Sequence, residues 1–265
     1  MKAIWLTDVH LEFLDERAVS AFLRELSRWN ADAVLISGDI AQAPTVSEYL
    51  SKMAKFLEFP IYFVLGNHDF YHGSIPAVKD TIRTLSKDSP LLHWLTDRGP
   101  VCLSPTTCLI GHDGWCDARL GDYHSSTVDL NDFYLIHELA GLSKRDRLLK
   151  LHELGDEAAA HIRKVLPEAL KSADHVVVLT HVPPFREAAW YAGRSSDSQW
   201  LPFFSCKTVG DMLYTTMQSH PHKRMTVLCG HTHGGGRSAI LPNLATWTGP
   251  ARYGRPAIQE IFEWT

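Results

Sequence analysis

The sequence AIWLTDVH at residues 3–10 places a carboxylate and an imidazole directly behind a run of apolar residues. Such a run predicts a short buried strand, and its polar end supplies two side chains of the kind that bind metal ions. The same arrangement recurs along the chain. The further polar clusters are Gly38-Asp39, Gly66-Asn67-His68-Asp69, Thr180-His181-Val182-Pro183-Pro184 and Gly230-His231-Thr232-His233.

Each polar cluster follows its own predicted strand. The five apolar runs cover residues 3–6, 33–36, 61–65, 176–179 and 226–229. In open α/β sheets, ligands bind outside the carboxyl ends of the strands. We therefore expect the five clusters to converge at one edge of a sheet and to form a metal site there.

The side chains that would meet at this edge are carboxylates, one amide and imidazoles. They are too many for one four-coordinate ion, but they suit two neighbouring ions that share a carboxylate. Hard oxygen and imidazole nitrogen donors without a thiolate favour manganese, iron or zinc over calcium or copper(I). We expect two divalent or trivalent transition metal ions, manganese or iron foremost, with zinc as the alternative. The expected ligands are Asp8, His10, Asp39, Asn67, His181, His231 and His233.

Two pairs of these ligands, Asp8 with His10 and His231 with His233, are spaced two residues apart. An extended backbone directs alternate side chains to the same side, so both members of each pair can face the ions. Glycines adjoin the ligands, and glycine permits positive φ and close approach of the backbone to a site. These glycines are Gly38, Gly66 and Gly230.

The ordered motifs D-x-H, GD, GNHD, H and GHTH resemble the calcineurin-like metallophosphoesterase superfamily, nearest to its bacterial phosphodiesterase-type members. Periodicity alone indicates only an α/β protein. The resemblance implies a four-layer α-β-β-α sandwich of two mixed sheets, with a binuclear metal centre at one edge. It implies that the first metal is held by Asp8, His10, Asp39 and His233, and the second by Asp39, Asn67, His181 and His231.

The resemblance also implies that His68 lies beside the metals without binding them and that Asp69 orients it. Imidazole titrates near neutrality, and a neighbouring carboxylate favours its charged form. We therefore expect His68 to act as the general acid that protonates the leaving group. The alternative is a structural histidine beside a turn.

The expected reaction is hydrolysis of a phosphoester. Two ions lower the pKa of a water held between them, and the resulting hydroxide attacks phosphorus in line without a protein nucleophile. The aspartate after GNH and the Thr-His-x-Pro-Pro segment resemble phosphodiesterases more than protein phosphatases. We expect a phosphodiesterase acting on a small nucleotide-like substrate. A phosphomonoesterase acting on small metabolites, a nuclease of the same superfamily and a non-catalytic scaffold are the alternatives.

Substrate contacts are expected from two loops rich in aromatic and charged residues. Aromatic rings can stack on a base, and arginine can clamp a phosphate. The alternative is that the aromatics simply pack the loops. The candidates are Arg186, Arg194 and Trp200 after His181, and Trp115, Asp117 and Arg119 on the opposite wall.

Composition predicts a single domain over residues 1–265, which the resemblance implies is a metallophosphoesterase domain, with a helical cap expected around residues 115–170. A net charge of −4 and a pI near 6.4 argue against a stable partnership with duplex nucleic acid. The five cysteines show no metal or disulfide spacing, and they resemble buried thiols of a reducing compartment. No leader or membrane segment is evident, so we expect a cytoplasmic protein with a small-molecule substrate. The oligomeric state is left open.

Apolar periodicity predicts the remaining elements. Helices are expected over residues 15–30, 45–58 and 143–170, and Pro167 is expected to end or kink the last of them. Residues 238–264 alternate apolar and polar side chains. This alternation favours antiparallel strands that complete a second sheet.

Overall fold

A computed structural model describes all 265 residues and shows four layers: helices, a sheet, a second sheet and helices. The strands are β1 (Lys2–Leu6), β2 (Ala33–Ser37), β3 (Ile61–Val64), β4 (Leu92–Trp94), β5 (Val101–Ser104), β6 (Thr107–His112), β7 (His175–Thr180), β8 (Trp190–Tyr191), β9 (Arg194–Ser195), β10 (Arg224–Cys229), β11 (Gly236–Leu241), β12 (Leu244–Thr248) and β13 (Glu260–Glu263). The helices are α1 (Glu16–Ser27), α2 (Val46–Leu57), α3 (Ile75–Asp88), α4 (Asp132–Leu135), α5 (Lys144–Ser172), α6 (Leu201–Phe204) and α7 (Lys207–Gln218).

The first sheet has the order β13-β1-β2-β3-β4, and the second has the order β11-β12-β10-β7-β6-β5. β1 to β4 run parallel, as do β12, β10, β7 and β6. Antiparallel strands stand at both edges of the second sheet and at one edge of the first. Both sheets are therefore mixed, and the predicted sandwich is confirmed.

Alternation along the central strands explains the layers. In β1, Ala3 and Trp5 belong to a small buried cluster shared by the two sheets, whereas Ile4 and Leu6 join the larger core that includes the helices. Because successive side chains in a strand point to opposite faces, one strand supplies both cores. Both faces of these parallel strands are thus covered, which explains their nearly continuous apolar sequences.

Two expectations about the later elements need correction, because Pro167 does not end its helix and the C-terminal strands do not all join the second sheet. Pro167 lies inside α5, which continues to Ser172; the tertiary packing of the buried face of α5 outweighs the missing N–H. The C-terminal residues do not all enter the second sheet. β11 and β12 pair there as an antiparallel hairpin, but β13 returns to the first sheet beside β1. Alternation identifies a strand but not the sheet that it joins.

Four cysteines are buried, but Cys102 is exposed, contrary to the expectation of uniformly buried thiols. None of the helices combines the length and the hydropathy needed to cross a bilayer.

Candidate metal centre and substrate cleft

The ligands predicted from the sequence meet at the carboxyl ends of β1, β2, β3, β7 and β10. Hydrogen bonds between loop backbones hold this edge together, because Asp8 N donates to Gly38 O at 3.0 Å and Gly230 N donates to His181 O at 2.9 Å. The candidate ligand atoms of Asp8, His10, Asp39 and His233 all lie within 4.8 Å of one another. One cation could contact all four, in agreement with the ligand set implied for the first metal.

Contacts within this first group bring together atoms that carry lone pairs. The Nε2 atoms of His10 and His233 lie 3.2 Å apart, and His233 Nε2 lies 3.5 Å from Asp8 Oδ1. Asp39 Oδ2 lies 3.7 Å from His10 Nε2. All of these side chains except His233 are buried, so a bound cation would offset the cost of burying their charges and dipoles.

The second group is arranged around the amide oxygen of Asn67. His231 Nε2 donates to Phe203 O at 2.8 Å, so its Nδ1 carries a lone pair, and that atom lies 3.0 Å from Asn67 Oδ1. Burial lowers the pKa of His231 to about 3, so this nitrogen stays unprotonated. Two acceptors therefore face each other at close range, and a shared cation is the chemistry that makes such a contact favourable.

His181 completes the second group. Its Nδ1 contacts Ser37 O at 2.8 Å, and its Nε2 lies 3.0 Å from Asn67 Oδ1 and 3.4 Å from Asp39 Oδ1. Burial disfavours the charged ring, but the Asp39 carboxylate outweighs it and raises the pKa of His181 to about 10. A proton thus occupies this position in the metal-free protein, and metal binding would have to displace it.

Asp39 joins the two groups, because its Oδ2 faces His10 and its Oδ1 faces His181. Burial alone would raise the pKa of this carboxylate, but the imidazoles of His181 and His68 lower it well below its ordinary value. Asp39 is thus ionised with one oxygen directed to each group. This geometry is what a carboxylate shared by two ions requires.

The backbone at the ligands differs from expectation. Asp8 (φ 49°), His10 (φ 43°), Asp39 (φ 53°), His231 (φ 70°) and His233 (φ 55°) all have left-handed backbone conformations. The two-residue spacing therefore does not arise from an extended strand, since β1 ends at Leu6 before the first pair begins. Left-handed turns aim these side chains instead, and strained φ values of this kind concentrate at functional sites.

The glycines beside the ligands provide space. A Cβ at Gly66 would lie 2.2 Å from Asp39 Oδ1, and one at Gly230 would lie 1.9 Å from Asp8 Oδ2. Only Gly38 also has a positive φ, at 92°. Close approach is therefore the reason for glycine at all three positions, and backbone conformation is a further reason at one.

His68 lies beside the ligands, with its ring 4.6 Å from that of His10 and stacked at 4.1 Å on Tyr71. Its Nδ1 is buried without a hydrogen-bond partner. Burial lowers the pKa of His68 below its ordinary value, and the Asp39 charge only partly offsets this.

Asp69 does not contact the imidazole of His68. Its carboxylate accepts hydrogen bonds from the backbone N–H groups of Ile40, Ala41 and Gly66 at 3.0, 2.9 and 2.8 Å. The orienting contact implied by the family resemblance is therefore absent. Asp69 ties the loop that carries Asn67 to the loop that carries Asp39. It therefore positions the backbone of these two loops and not the imidazole ring of His68.

An open cleft of about 280 Å³ adjoins both ligand groups. It presents acidic, amide and aromatic side chains, and no lysine or arginine lines it. The residues around it are Asp39, Asn67, His68, Tyr71, Asp129, Leu130, Asn131, Asp132, Tyr191, Trp200, Phe204, His231, Thr232, His233 and Tyr253.

Of the predicted substrate contacts, only Trp200 lines the cleft. Arg186 and Arg194 are exposed in the loop after His181, away from the lining. Tyr191, from the short β8–β9 hairpin, lines the cleft in their place.

The opposite wall is also composed differently from the prediction. Trp115 is buried against Phe70, with ring centroids 5.7 Å apart. Asp117 is fully buried and accepts hydrogen bonds from Arg119 and from Thr208 on α7. The polar groups of Asp117 and Arg119 are paired within the protein, and Trp115 is buried with its Nε1 unpartnered. None of the three lines the cleft.

The wall is formed by residues that the sequence did not single out, among them Tyr71, Asp129, Asp132 and Tyr253. The segment 115–170, expected as a cap, occupies two places: residues 129–132 line the cleft, whereas α5 packs on the outer side of the second sheet against β6 and α7. No residue pattern marks Asp132, which reads as an ordinary turn or helix-cap residue.

Comparison with known proteins agrees with this site. A family model described as calcineurin-like phosphoesterase matches residues 1–235. The chain belongs to this family.

Two curated relatives, both uncharacterized metallophosphoesterases of Helicobacter pylori, are 30% identical over 105 residues and 34% identical over 88 residues. The alignments cover 35% and 29% of this chain, and 27% and 22% of the relatives. The matched part of this chain therefore spans only about a quarter of the length of these relatives.

Solved structures resemble the chain over nearly its whole length. The phosphopantetheinyl hydrolase of Mycobacterium tuberculosis has a TM-score of 0.67 at 12% identity, covering 95% of this chain and 89% of that one. A dimetal phosphatase from Danio rerio has a TM-score of 0.58 at 16% identity, covering 94% and 87%. At such low identity these likenesses show the fold.

Proposed function

We propose that the protein is a metal-dependent hydrolase of a small, nucleotide-like phosphodiester. The observation that carries the proposal is the meeting of unprotonated His231 Nδ1, Asn67 Oδ1 and ionised Asp39 at the head of an open cleft. When bound, two ions would lower the pKa of a coordinated water and stabilise the negative charge on the attacking and leaving oxygens. The first would be held by Asp8, His10, Asp39 and His233, and the second by Asp39, Asn67, His181 and His231.

The charge of the cleft supports a substrate with a single phosphate. Asp129 and Asp132 line the cleft and no lysine or arginine does, so a chain of further phosphates would meet negative charge without a permanently charged counter-ion. A diester with two neutral substituents fits this wall. Manganese and iron remain the proposed ions, with zinc as the alternative.

Aromatic side chains support a planar substituent on that phosphate. The rings of Tyr191 and Trp200 are nearly parallel at 20°, with centroids 6.1 Å apart, and Phe204 lies 5.0 Å from Trp200. Rings exposed to the cleft can stack on a base. We propose that the loop over residues 129–132 acts as the cap on the other side, within one domain.

His68 is the proposed general acid. Its ring lies on the cleft lining beside His10 and Tyr71. Burial lowers the pKa of His68, but the negative charge of a bound phosphate would favour the protonated form that donates to the departing alkoxide. The proposal places no covalent nucleophile on the protein. Transfer of solvent oxygen into the phosphate in a single turnover would support it, whereas a trapped phosphoenzyme would contradict it.

The first test is hydrolysis of bis(p-nitrophenyl) phosphate and of p-nitrophenyl phosphate by protein loaded with Mn²⁺. Asp39→Ala serves as the blank for contaminating phosphatase. A higher kcat/KM for the diester supports the proposal, and a preference for the monoester would redirect it to monophosphates. No hydrolysis above the blank would overturn it.

A second test addresses the aromatic wall. We expect Trp200→Ala to raise KM for a cyclic nucleotide or dinucleotide by about tenfold, since stacking on one base contributes about 1–3 kcal/mol, and to leave a small alkyl ester unaffected. Tyr214→Ala, an exposed aromatic on α7 outside the cleft, is the control. Equal loss on both substrates would show that Trp200 merely packs the loop.

A further inference from the structure

Asp132 is buried, and it begins the short helix α4 in the loop segment between β6 and α5, which contributes none of the predicted metal ligands. Its Oδ1 accepts a hydrogen bond from Asn67 Nδ2 at 2.8 Å and another from Tyr71 Oη at 2.6 Å. Asn67 Nδ2 also lies 3.3 Å from Tyr71 Oη. The amide nitrogen of Asn67 is thus fully occupied on the side away from the imidazoles.

This contact decides which atom of the amide faces the second ligand group. A side-chain amide can present either oxygen or nitrogen to its surroundings. Without Asp132, a flipped amide could donate its N–H groups to His231 Nδ1, since the other ring nitrogen already donates to Phe203 O. That arrangement would be a good hydrogen bond and a poor metal site, because an amide N–H binds no cation.

The loop that carries Asp132 is held to the segment that follows Asn67. His72 N donates to Leu135 O at 2.7 Å, and His137 N donates to Gly73 O at 3.1 Å. Ile75 N donates to a carboxylate oxygen of Glu138 at 2.8 Å. Asp132 is therefore placed by backbone contacts that do not depend on the amide it meets.

We propose that Asp132, assisted by Tyr71, is a positioning residue that fixes the Asn67 amide with its oxygen toward the second metal. The inference rests on the proposed binuclear site. It assigns a role to a residue outside the ligand motifs. Because Asp132 also lines the cleft, a change in this wall would alter the affinity for the second ion.

The test is titration of metal-free protein with Mn²⁺, followed by metal analysis for stoichiometry and by electron paramagnetic resonance, which distinguishes a coupled pair of ions from a single ion. We expect Asp132→Ala to keep the first ion and to weaken the second site about 10–100-fold, the range typical of residues that support metal ligands. Asp132→Asn removes the charge but keeps an oxygen acceptor, so its loss should be smaller. The difference in second-site affinity between the two variants separates the effect of orienting the Asn67 amide from the effect of the Asp132 charge.

An exchanged pair provides the decisive control. In Asn67→Asp combined with Asp132→Asn, residue 67 presents oxygen in either orientation, and the new amide at 132 can donate to it. We expect this pair to recover most of the second-site affinity. In the background of Asn67→Ala, Asp132→Ala should cause no further loss, since there is no amide left to orient.

The outcomes are distinguishable from failure of the proposed function. If the original protein binds two ions and Asp132→Ala binds them with the same affinity, the positioning role is overturned. If the original protein binds fewer than two ions, the binuclear site itself is overturned. Thermal unfolding of the metal-free variants measures any general loss of structure, and if Asp132→Ala does not fold, failure of the exchanged pair to bind the second ion would still overturn the role.

Discussion

Gly66 illustrates how strictly single residues are specified at this site. An added Cβ would lie 2.2 Å from Asp39 Oδ1 and 2.6 Å from Asp39 N, and the second of these is backbone that cannot rotate away. We expect Gly66→Ala to displace the shared carboxylate, to abolish binding of both ions and to destabilise the fold by about 1–3 kcal/mol through overpacking. Metal analysis and urea unfolding would measure the two effects.

Gly99→Ala is the matched control for this substitution, because no atom lies within 4 Å of its added Cβ. It should keep both ions and nearly unchanged stability. If Gly66→Ala retained a full complement of metal, the close approach of loop and ligand would have no functional meaning.

His68 can be tested by changing the leaving group. As a general acid, it should matter most when the departing alkoxide is a strong base, so His68→Ala is expected to lower kcat by about 10²–10⁴ on an alkyl ester. Nitrophenolate leaves without protonation, and its ester should lose far less. Equal losses would indicate that His68 positions the phosphate instead of donating a proton.

At the level of single residues, the motifs were informative because each ligand follows a strand within a few positions, so local sequence carries the signal. The contacts that the sequence did not predict are not encoded in the local motifs. Asp132 accepts a hydrogen bond from Asn67, a partner 65 positions away in the chain. The residues next to Asp132 in the sequence do not predict that contact. Asp69 lies next to His68 in sequence but turns to backbone N–H groups, which a motif does not reveal.

At the scale of elements, α5 contains a proline that the helix tolerates. Pro167 is exposed in the helix interior, where it removes one hydrogen bond and crowds the preceding turn. We expect Pro167→Ala to raise the free energy of unfolding by about 1–3 kcal/mol, given the cost of proline in a helix interior. Urea unfolding of the metal-free protein would measure it.

Pro76 serves as the comparison, since it lies in the first turn of α3 and is also exposed. Proline is favourable there because the missing N–H has no intrahelical partner. Pro76→Ala should be neutral or destabilising. A gain of equal size at both positions would show that the effect does not depend on the position of the proline within its helix, and would contradict this assignment.

Element positions were largely predictable because apolar periodicity is local. The sheet that each strand joins was not predictable in this way. Residues 260–263 form a strand as expected, yet β13 crosses to the first sheet and pairs with β1. The choice depends on which sheet edge is free once the rest of the chain has folded, and a sequence pattern does not contain that information.

At the scale of the whole molecule, buried histidines predict a loss of stability in mild acid. Burial, with the nearby charge of Arg224, lowers the pKa of His175 to about 4. Its folded pKa is thus below the unfolded value of about 6.5, so the unfolded chain binds the proton more readily. The stabilisation is complete above about pH 6.5 and is lost as the pH falls toward 4.

We expect His175→Gln to flatten this dependence, by at most about 1.4 kcal/mol per pH unit for one proton. Glutamine can keep a donor for Thr226 and an acceptor for Arg224, the two partners of the ring. Urea unfolding of metal-free protein at several pH values between 7.5 and 4.5 would measure the slope. His222→Gln, at an exposed position, should leave the slope unchanged, and an unaltered slope in His175→Gln would contradict the assignment.

The left-handed backbone at five of the candidate metal ligands limits how this protein can be evolved in the laboratory. Each such residue holds a conformation that glycine or asparagine adopts more readily, so a selection for heat resistance without metal would favour replacing the ligands. The survivors of that selection would be robust and inactive. A thermostable enzyme must therefore be obtained from positions remote from this edge, and Pro167 is the kind of position at which such a search should begin.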